Sequence, residues 1–186
     1  MTDECGYVSL AILESGLDVI RQAPGLHGTL ELIVRRPGAG EREVVGEGQL
    51  EVVEGLVGDS WKRRGSGRTP DGSAHPELQL TLMNSRVIRL LAPGPDRWPL
   101  AGDQLFVDLD LSAANFPAGT RLSIGGAVIE VTPIPHTGCK KFLARYGPDA
   151  LQFVNSPLGR ELNLRGINSK VIQSGAIRTR DIVRKL

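Results

Sequence analysis

Arg121-Leu-Ser-Ile-Gly-Gly-Ala-Val-Ile-Glu-Val-Thr132 decides the fold. Short alternating runs stand on both sides of Gly125-Gly126, the pattern of two strands joined by a tight turn. The two-residue period recurs in both directions along the chain. Leu30, Leu32 and Val34 alternate with Thr29, Glu31, Ile33 and Arg35, and Pro37-Gly38-Ala39-Gly40 then turns the chain into a second hairpin strand that begins near Arg42. Further short strands are predicted over residues 49–53, 78–82, 104–109, 170–173 and 177–183. Pro133-Ile134-Pro135 is read as the stop of the strand over 127–132, because proline donates no ladder hydrogen bond.

Helices are few. Leu10, Leu13, Leu17 and Ile20 form one stripe over residues 9–22, ended by Pro24-Gly25, with Gly16 costing about 1 kcal/mol inside it. Residues 85–91, stopped by Pro93-Gly94-Pro95, and residues 140–146 and 149–154 complete the set. Residues 62–76 carry almost nothing apolar and read as an exposed loop. With 23 Gly and 12 Pro scattered along 186 residues, turns are frequent and elements short. The fold class that follows is mainly β, a β-barrel or strongly curved sheet with a few short helices. Residues 1–24 are expected to form a helical extension packed on a single domain over 25–186, and no linker divides that domain.

Composition narrows the function. Twenty-two Lys and Arg against 21 Asp and Glu leave a net charge of +1, so no global field attracts nucleic acid or an anionic membrane. Electrostatic recognition must be local. Asp3 and Glu4 stand where an export signal would be basic, and no stretch approaches the roughly 18 apolar residues of a membrane helix, so a soluble, cytoplasmic protein is expected. The two cysteines, Cys5 and Cys139, lack the spacing of a disulfide framework or a zinc site. No Gly-x-Ser-x-Gly elbow is present, and Arg63 to Arg68 lack the Lys-Ser/Thr ending of a phosphate-binding loop. Trp61 and Trp98 read as core residues before ring-stacking platforms.

The chemically suggestive stretch is His136-Thr-Gly-Cys139-Lys-Lys141, at a strand-to-helix junction. A thiol there would feel the positive end of the helix and the ammonium groups of Lys140 and Lys141, which favour the nucleophilic thiolate. His136 would supply a proton donor or acceptor, and Gly138 would leave room for a substrate to approach the sulfur. The residues alone leave a second reading open, in which Cys139 is a small buried apolar side chain beside solvated lysines. Cys5, beside Glu4, has no such surroundings and reads as an incidental tail residue. Arg145, Arg165, Lys140 and Lys141 would together suit an anion, since guanidinium offers a planar fork to phosphate oxygens. Asp108 and Asp110 fall on one strand face, where repulsion or shared solvation is as natural as function.

Five blocks carry a family resemblance: Gly55-Leu-Val-Gly-Asp59-Ser-Trp61, Gln79-Leu-Thr-Leu-Met-Asn84, Gly102-Asp-Gln-Leu-Phe-Val-Asp-Leu-Asp110, Gly119-Thr-Arg-Leu-Ser-Ile-Gly125, and Glu130-Val-Thr-Pro running to His136-Thr-Gly-Cys139-Lys-Lys-Phe142. In this order, over roughly residues 25–186, they resemble the MOSC domain, named for the C-terminus of molybdenum cofactor sulfurases, in a stand-alone version. The resemblance implies a β-rich, barrel-like fold. It also implies a cysteine that carries sulfane sulfur for delivery to the molybdenum cofactor (molybdopterin), or that holds that cofactor as a molybdenum ligand. Cys139 matches that cysteine, with His136 and Lys140 flanking it. Asn84, Asp59 and Arg165 fall in or near pocket-lining blocks, and the basic residues Lys141, Arg145 and Arg165 would receive the pterin phosphate. Implied partners are a cysteine desulfurase or other sulfur donor and a cofactor-accepting enzyme. Pyridoxal phosphate belongs to the desulfurase and is expected only through such a partner. A third reading keeps the fold without the chemistry, as an interaction domain.

Overall fold

The computed structural model describes residues 6–186; Cys5 lies outside them. The chain threads through α1 (Leu10–Ser15), α2 (Leu17–Arg21), β1 (His27–Arg35), β2 (Glu43–Val45), β3 (Glu47–Glu51), β4 (Gly55–Leu56) and α3 (Trp61–Arg64) in its first third. There follow β5 (Leu80–Asn84), α4 (Ser85–Leu91), β6 (Leu105–Asp108), β7 (Arg121–Ile124) and β8 (Ala127–Pro135). The chain ends with α5 (Lys140–Asn155), α6 (Pro157–Glu161), β9 (Ile167–Gln173), β10 (Gly175–Arg178) and β11 (Ile182–Lys185).

Seven strands close into a barrel in the order β1-β11-β7-β8-β9-β5-β6, with β6 pairing back onto β1. Only β5 and β6 run parallel; every other neighbouring pair is antiparallel. Closure removes the free edges that an open sheet would expose. β2 extends the sheet from β1, and a separate sheet of β10, β3 and β4 contributes Leu50, Leu56 and Ile177 to the barrel core.

Alternation divides the apolar residues between two cores. On β6, Leu105 and Val107 point into the barrel, while Phe106 points outward under the helices with Met83, Leu13, Val87, Phe142 and Tyr146. β5 is therefore covered on both faces, and all five of its residues are buried. The polar ones survive there by pairing: the Gln104 side chain accepts from Thr81 N and Oγ1 and donates to the Gln79 carbonyl.

Three expectations are corrected. The helix over 9–22 breaks at Gly16, where an added Cβ would lie 2.6 Å from the Leu90 side chain, so α1 and α2 reach α4 through a close approach. β8 does not stop at Pro133. It continues through Pro135, which pairs with Ile167 beyond a register shift after Val131, and the bulge absorbs the missing proline donor. The strand over 177–183 splits into β10 and β11 at a turn with Arg180 at φ 76°. The loop after Trp61 begins with the helical turn of α3, and Trp61 itself is buried. Within α5, Gly147 at φ 85° ahead of Pro148 breaks the helix where residues 140–146 and 149–154 were read as two.

Candidate functional site

Cys139 stands at the N-cap of α5, and it is exposed. The reading that makes it a buried apolar residue is thereby overturned. Asn155 fixes the strap that carries it: its Oδ1 accepts from Gly138 N at 2.9 Å and its Nδ2 donates to the Gly138 carbonyl at 3.2 Å. Gly138 does not open a route to the sulfur. A side chain there would meet Leu151, Val154 and Asn155, so glycine lets the strap lie flat on α5.

Two cavities reach residues close to Cys139 in the chain, and Cys139 itself lines neither. One, of about 410 Å³, is lined by Thr137 and His136; the other, of about 270 Å³, is lined by Lys141. Successive Cα atoms are 3.8 Å apart, so the Cys139 Cα is within about 7.6 Å of Thr137 on one side and of Lys141 on the other.

The smaller cavity is basic. Arg36, Arg42, Arg63, Arg64, Lys141 and Arg145 line it, and no carboxylate does. Three of them are placed by the 3₁₀ segment Pro95–Ala101 and the residue after it, whose carbonyls turn toward arginines. Pro99 accepts from Arg42 Nε at 3.1 Å, Leu100 from Arg145 Nη1 at 2.5 Å, and Gly102 from Arg36 Nη1 at 2.8 Å. A carbonyl orients a guanidinium without cancelling its charge. Arg36 alone is neutralised, through two bonds to Asp59 at 2.8 and 2.9 Å. Burial, and then Arg145 and Arg36, push the Arg42 guanidinium below its usual pKa; burial and Arg36 do the same to Arg64. Arg42 and Arg145 are half-buried and Arg63, Arg64 and Lys141 exposed, and cations crowded in this way are relieved by an anion.

Behind the strap lies a buried acid. Asp103 is fully buried and accepts from Arg165 Nη1 at 2.6 Å, while Arg165 Nη2 donates to the Ala101 carbonyl and its guanidinium stacks over Phe142. His136 Nδ1 faces the other oxygen of Asp103 at 3.5 Å. Burial, reinforced by Arg165 against the opposing pull of Asp103, drives the His136 pKa down to about 3. His136 is therefore neutral at physiological pH. It can offer its one N–H as a hydrogen bond, and it is too weak a base to take a thiol proton.

The structure thus brings Lys141 and Arg145 together with Arg36, Arg42, Arg63 and Arg64, which the sequence reading missed. Arg165 is held by Asp103 outside the basic cavity. Lys140 is exposed and lines neither cavity. Asn84 is buried as the N-cap of α4, accepting from Arg86 N and donating to the Leu109 carbonyl. Asp108 and Asp110 are drawn apart, Asp108 to Arg86 and Asp110 to Ser112. Among the described residues no three His, Cys, Asp or Glu side chains converge as metal ligands, and no helix is long and apolar enough to cross a membrane.

No family model matches the sequence, and no curated protein does. Solved structures do. The YuaD protein from Bacillus subtilis superposes with a TM-score of 0.59 at 18% identity, over 85% of this chain and 94% of that one. YiiM from Escherichia coli gives 0.54 at 19% identity over 85% and 69%, and YiiM from Geobacillus stearothermophilus 0.57 at 14% over 86% and 75%. At these identities the likeness is one of fold: the closed barrel with its helices is an architecture this chain shares with YuaD and YiiM.

Proposed function

We propose that this chain is a MOSC-domain protein of molybdenum-cofactor and sulfur metabolism, in which Cys139 carries sulfane sulfur beside a site for the phosphate of the cofactor. The observation that carries this reading is the basic cavity within two residues of an exposed cysteine. The ordered sequence blocks and the barrel shared with the YuaD and YiiM structures support it.

The residues fit the phosphate. Arg42, Arg145 and Lys141 would hold it, with Arg63 and Arg64 at the same cavity, and the cofactor when bound would supply the sulfur-accepting metal centre. The chain's own chemistry is a displacement at sulfur. The Cys139 thiolate attacks the outer sulfur of a donor persulfide; an S–S bond forms, and the donor leaves as its thiolate. An acceptor nucleophile then attacks the outer sulfur of the Cys139 persulfide, and the electron pair of the broken S–S bond returns to Cys139. His136, neutral and fixed at the junction, contributes a hydrogen bond and no charge.

The same cavity favours a second reading, in which Cys139 is a permanent molybdenum ligand in an oxidoreductase. Two measurements on the full chain separate the readings. Mass analysis after incubation with a cysteine desulfurase and cysteine is expected to show one added sulfur on Cys139, absent in Cys139→Ser. Metal analysis after expression in cells that make the cofactor reports the alternative, as stoichiometric molybdenum lost in the same variant. Neither sulfur nor molybdenum on Cys139 would reject both and leave an interaction domain.

A further inference from the structure

The larger cavity differs from the basic one in chemistry. Its walls are Phe116, Pro117, Val131, Ile134 and Ile167, and its volume of about 410 Å³ suits a small organic molecule. Its polar lining residues are Thr132, His136, Thr137, Arg160 and Asn163. The Arg160 guanidinium is tethered by Nε donating to the Asn155 carbonyl at 3.2 Å, on the same Asn155 that holds Gly138, which leaves its Nη edge for a ligand. His136 lines the cleft, with its Nδ1 buried against Asp103. One cation and no carboxylate line the whole cleft.

We propose that this cleft, which His136 and Thr137 of the Cys139 strap also line, binds a small organic monocarboxylate, with the carboxylate on Arg160 and the apolar body between Phe116, Pro117 and Ile134. Such a molecule would be the organic partner of the reaction at Cys139; that role rests on the function proposed above, whereas the binding does not. A single carboxylate matches the single cation, and a cationic ligand finds no counter-charge.

Phenylacetate, phenylacetamide and 2-phenylethylammonium share one apolar body and differ in charge, so they test the assignment. Titrated into isotope-labelled full-length protein, phenylacetate is expected to bind about tenfold more tightly than phenylacetamide and to move the amide signals of Ala113, Ala118 and Gly166, with the ammonium compound weakest. Arg160→Gln should bring phenylacetate down to the affinity of the amide, and Cys139→Ser should change nothing. Equal affinities, a preference that survives Arg160→Gln, or shifts at Gly38 and Gly40 of the basic cavity in place of the cleft would overturn the proposal. Because Cys139→Ser is expected to bind normally, loss of the sulfur chemistry and loss of the cleft ligand are separate results.

Discussion

Arg36 and Arg165 face carboxylates, those of Asp59 and Asp103, whereas Arg42 and Arg145 face the carbonyls of Pro99 and Leu100. All four are immobilised by hydrogen bonds, yet only the second pair keeps its charge unbalanced. The first pair ties the β1 turn and the segment before β9 to the core; the second presents positive charge to a cavity that reaches Lys141, two residues along the chain from Cys139. Pairing with an acid is how this fold buries an arginine, and pairing with the peptide backbone is how it keeps one available. The distinction predicts opposite outcomes for stability and for anion binding.

The largest effect is expected at Asp59. Its carboxylate accepts from Arg36 N, Nε and Nη2 and from Trp61 N, so Asp59→Ala leaves a buried guanidinium without its counter-charge. A loss of about 3–5 kcal/mol in unfolding free energy is expected from denaturant titration. A loss below about 1 kcal/mol would mean that Arg36 belongs with the carbonyl-held pair.

Acid should expose the second carboxylate-held region. The His136 pKa falls from 6.5 to about 3 on folding, so below pH 6.5 the unfolded chain takes up a proton that the folded chain refuses. Stability from this group is complete above that pH and is lost as the pH falls toward 3, by up to about 1.4 kcal/mol per pH unit. The stability profile of His136→Gln should be flatter than that of the native chain between about pH 6 and 4. Parallel profiles would contradict the burial of a neutral ring.

The carbonyl-held pair should behave in the opposite sense. Arg42→Gln and Arg145→Gln each remove a crowded cation, so pyrophosphate affinity by calorimetry should drop about tenfold while the melting temperature stays level or rises. A melting temperature that falls as it does for Asp59→Ala would erase the comparison. Smallest of all, Asn84→Ala should cost about 1 kcal/mol as a lost helix cap and leave pyrophosphate binding unchanged, which separates it from the site.

What the sequence made legible was local. The β7-β8 hairpin and the span of α4 follow from alternation around Gly125-Gly126 and from the Pro93-Gly94-Pro95 stop, and the two helices over 140–146 and 149–154 are likewise local. The strand-to-helix junction at Cys139 was legible for the same reason, whereas the exposure of its thiol came only with the fold. β8 ran on through Pro133 and Pro135 because a bulge against β9, some 30 residues later, takes up their missing donors, and no local signal carries that. The basic cavity is a long-range construction: Arg36 and Arg42 flank the glycine turn after β1, Arg63 and Arg64 follow Trp61, and Lys141 and Arg145 lie on α5. The available clue was that basic residues gather on both sides of Pro37–Gly40 and again after Trp61. Their convergence needed the closed barrel and the carbonyls of residues 99–102.

The central claim is that the basic cavity and Cys139 form one site. The rate at which the uncharged reagent iodoacetamide alkylates Cys139, with and without saturating pyrophosphate, tests it directly. A severalfold slowing by the anion is expected in the native protein and none in Arg42→Gln/Arg145→Gln, because an anion held beside the sulfur disfavours the thiolate and obstructs the reagent. An alkylation rate that pyrophosphate leaves unchanged, in a protein shown to bind it, would contradict the account.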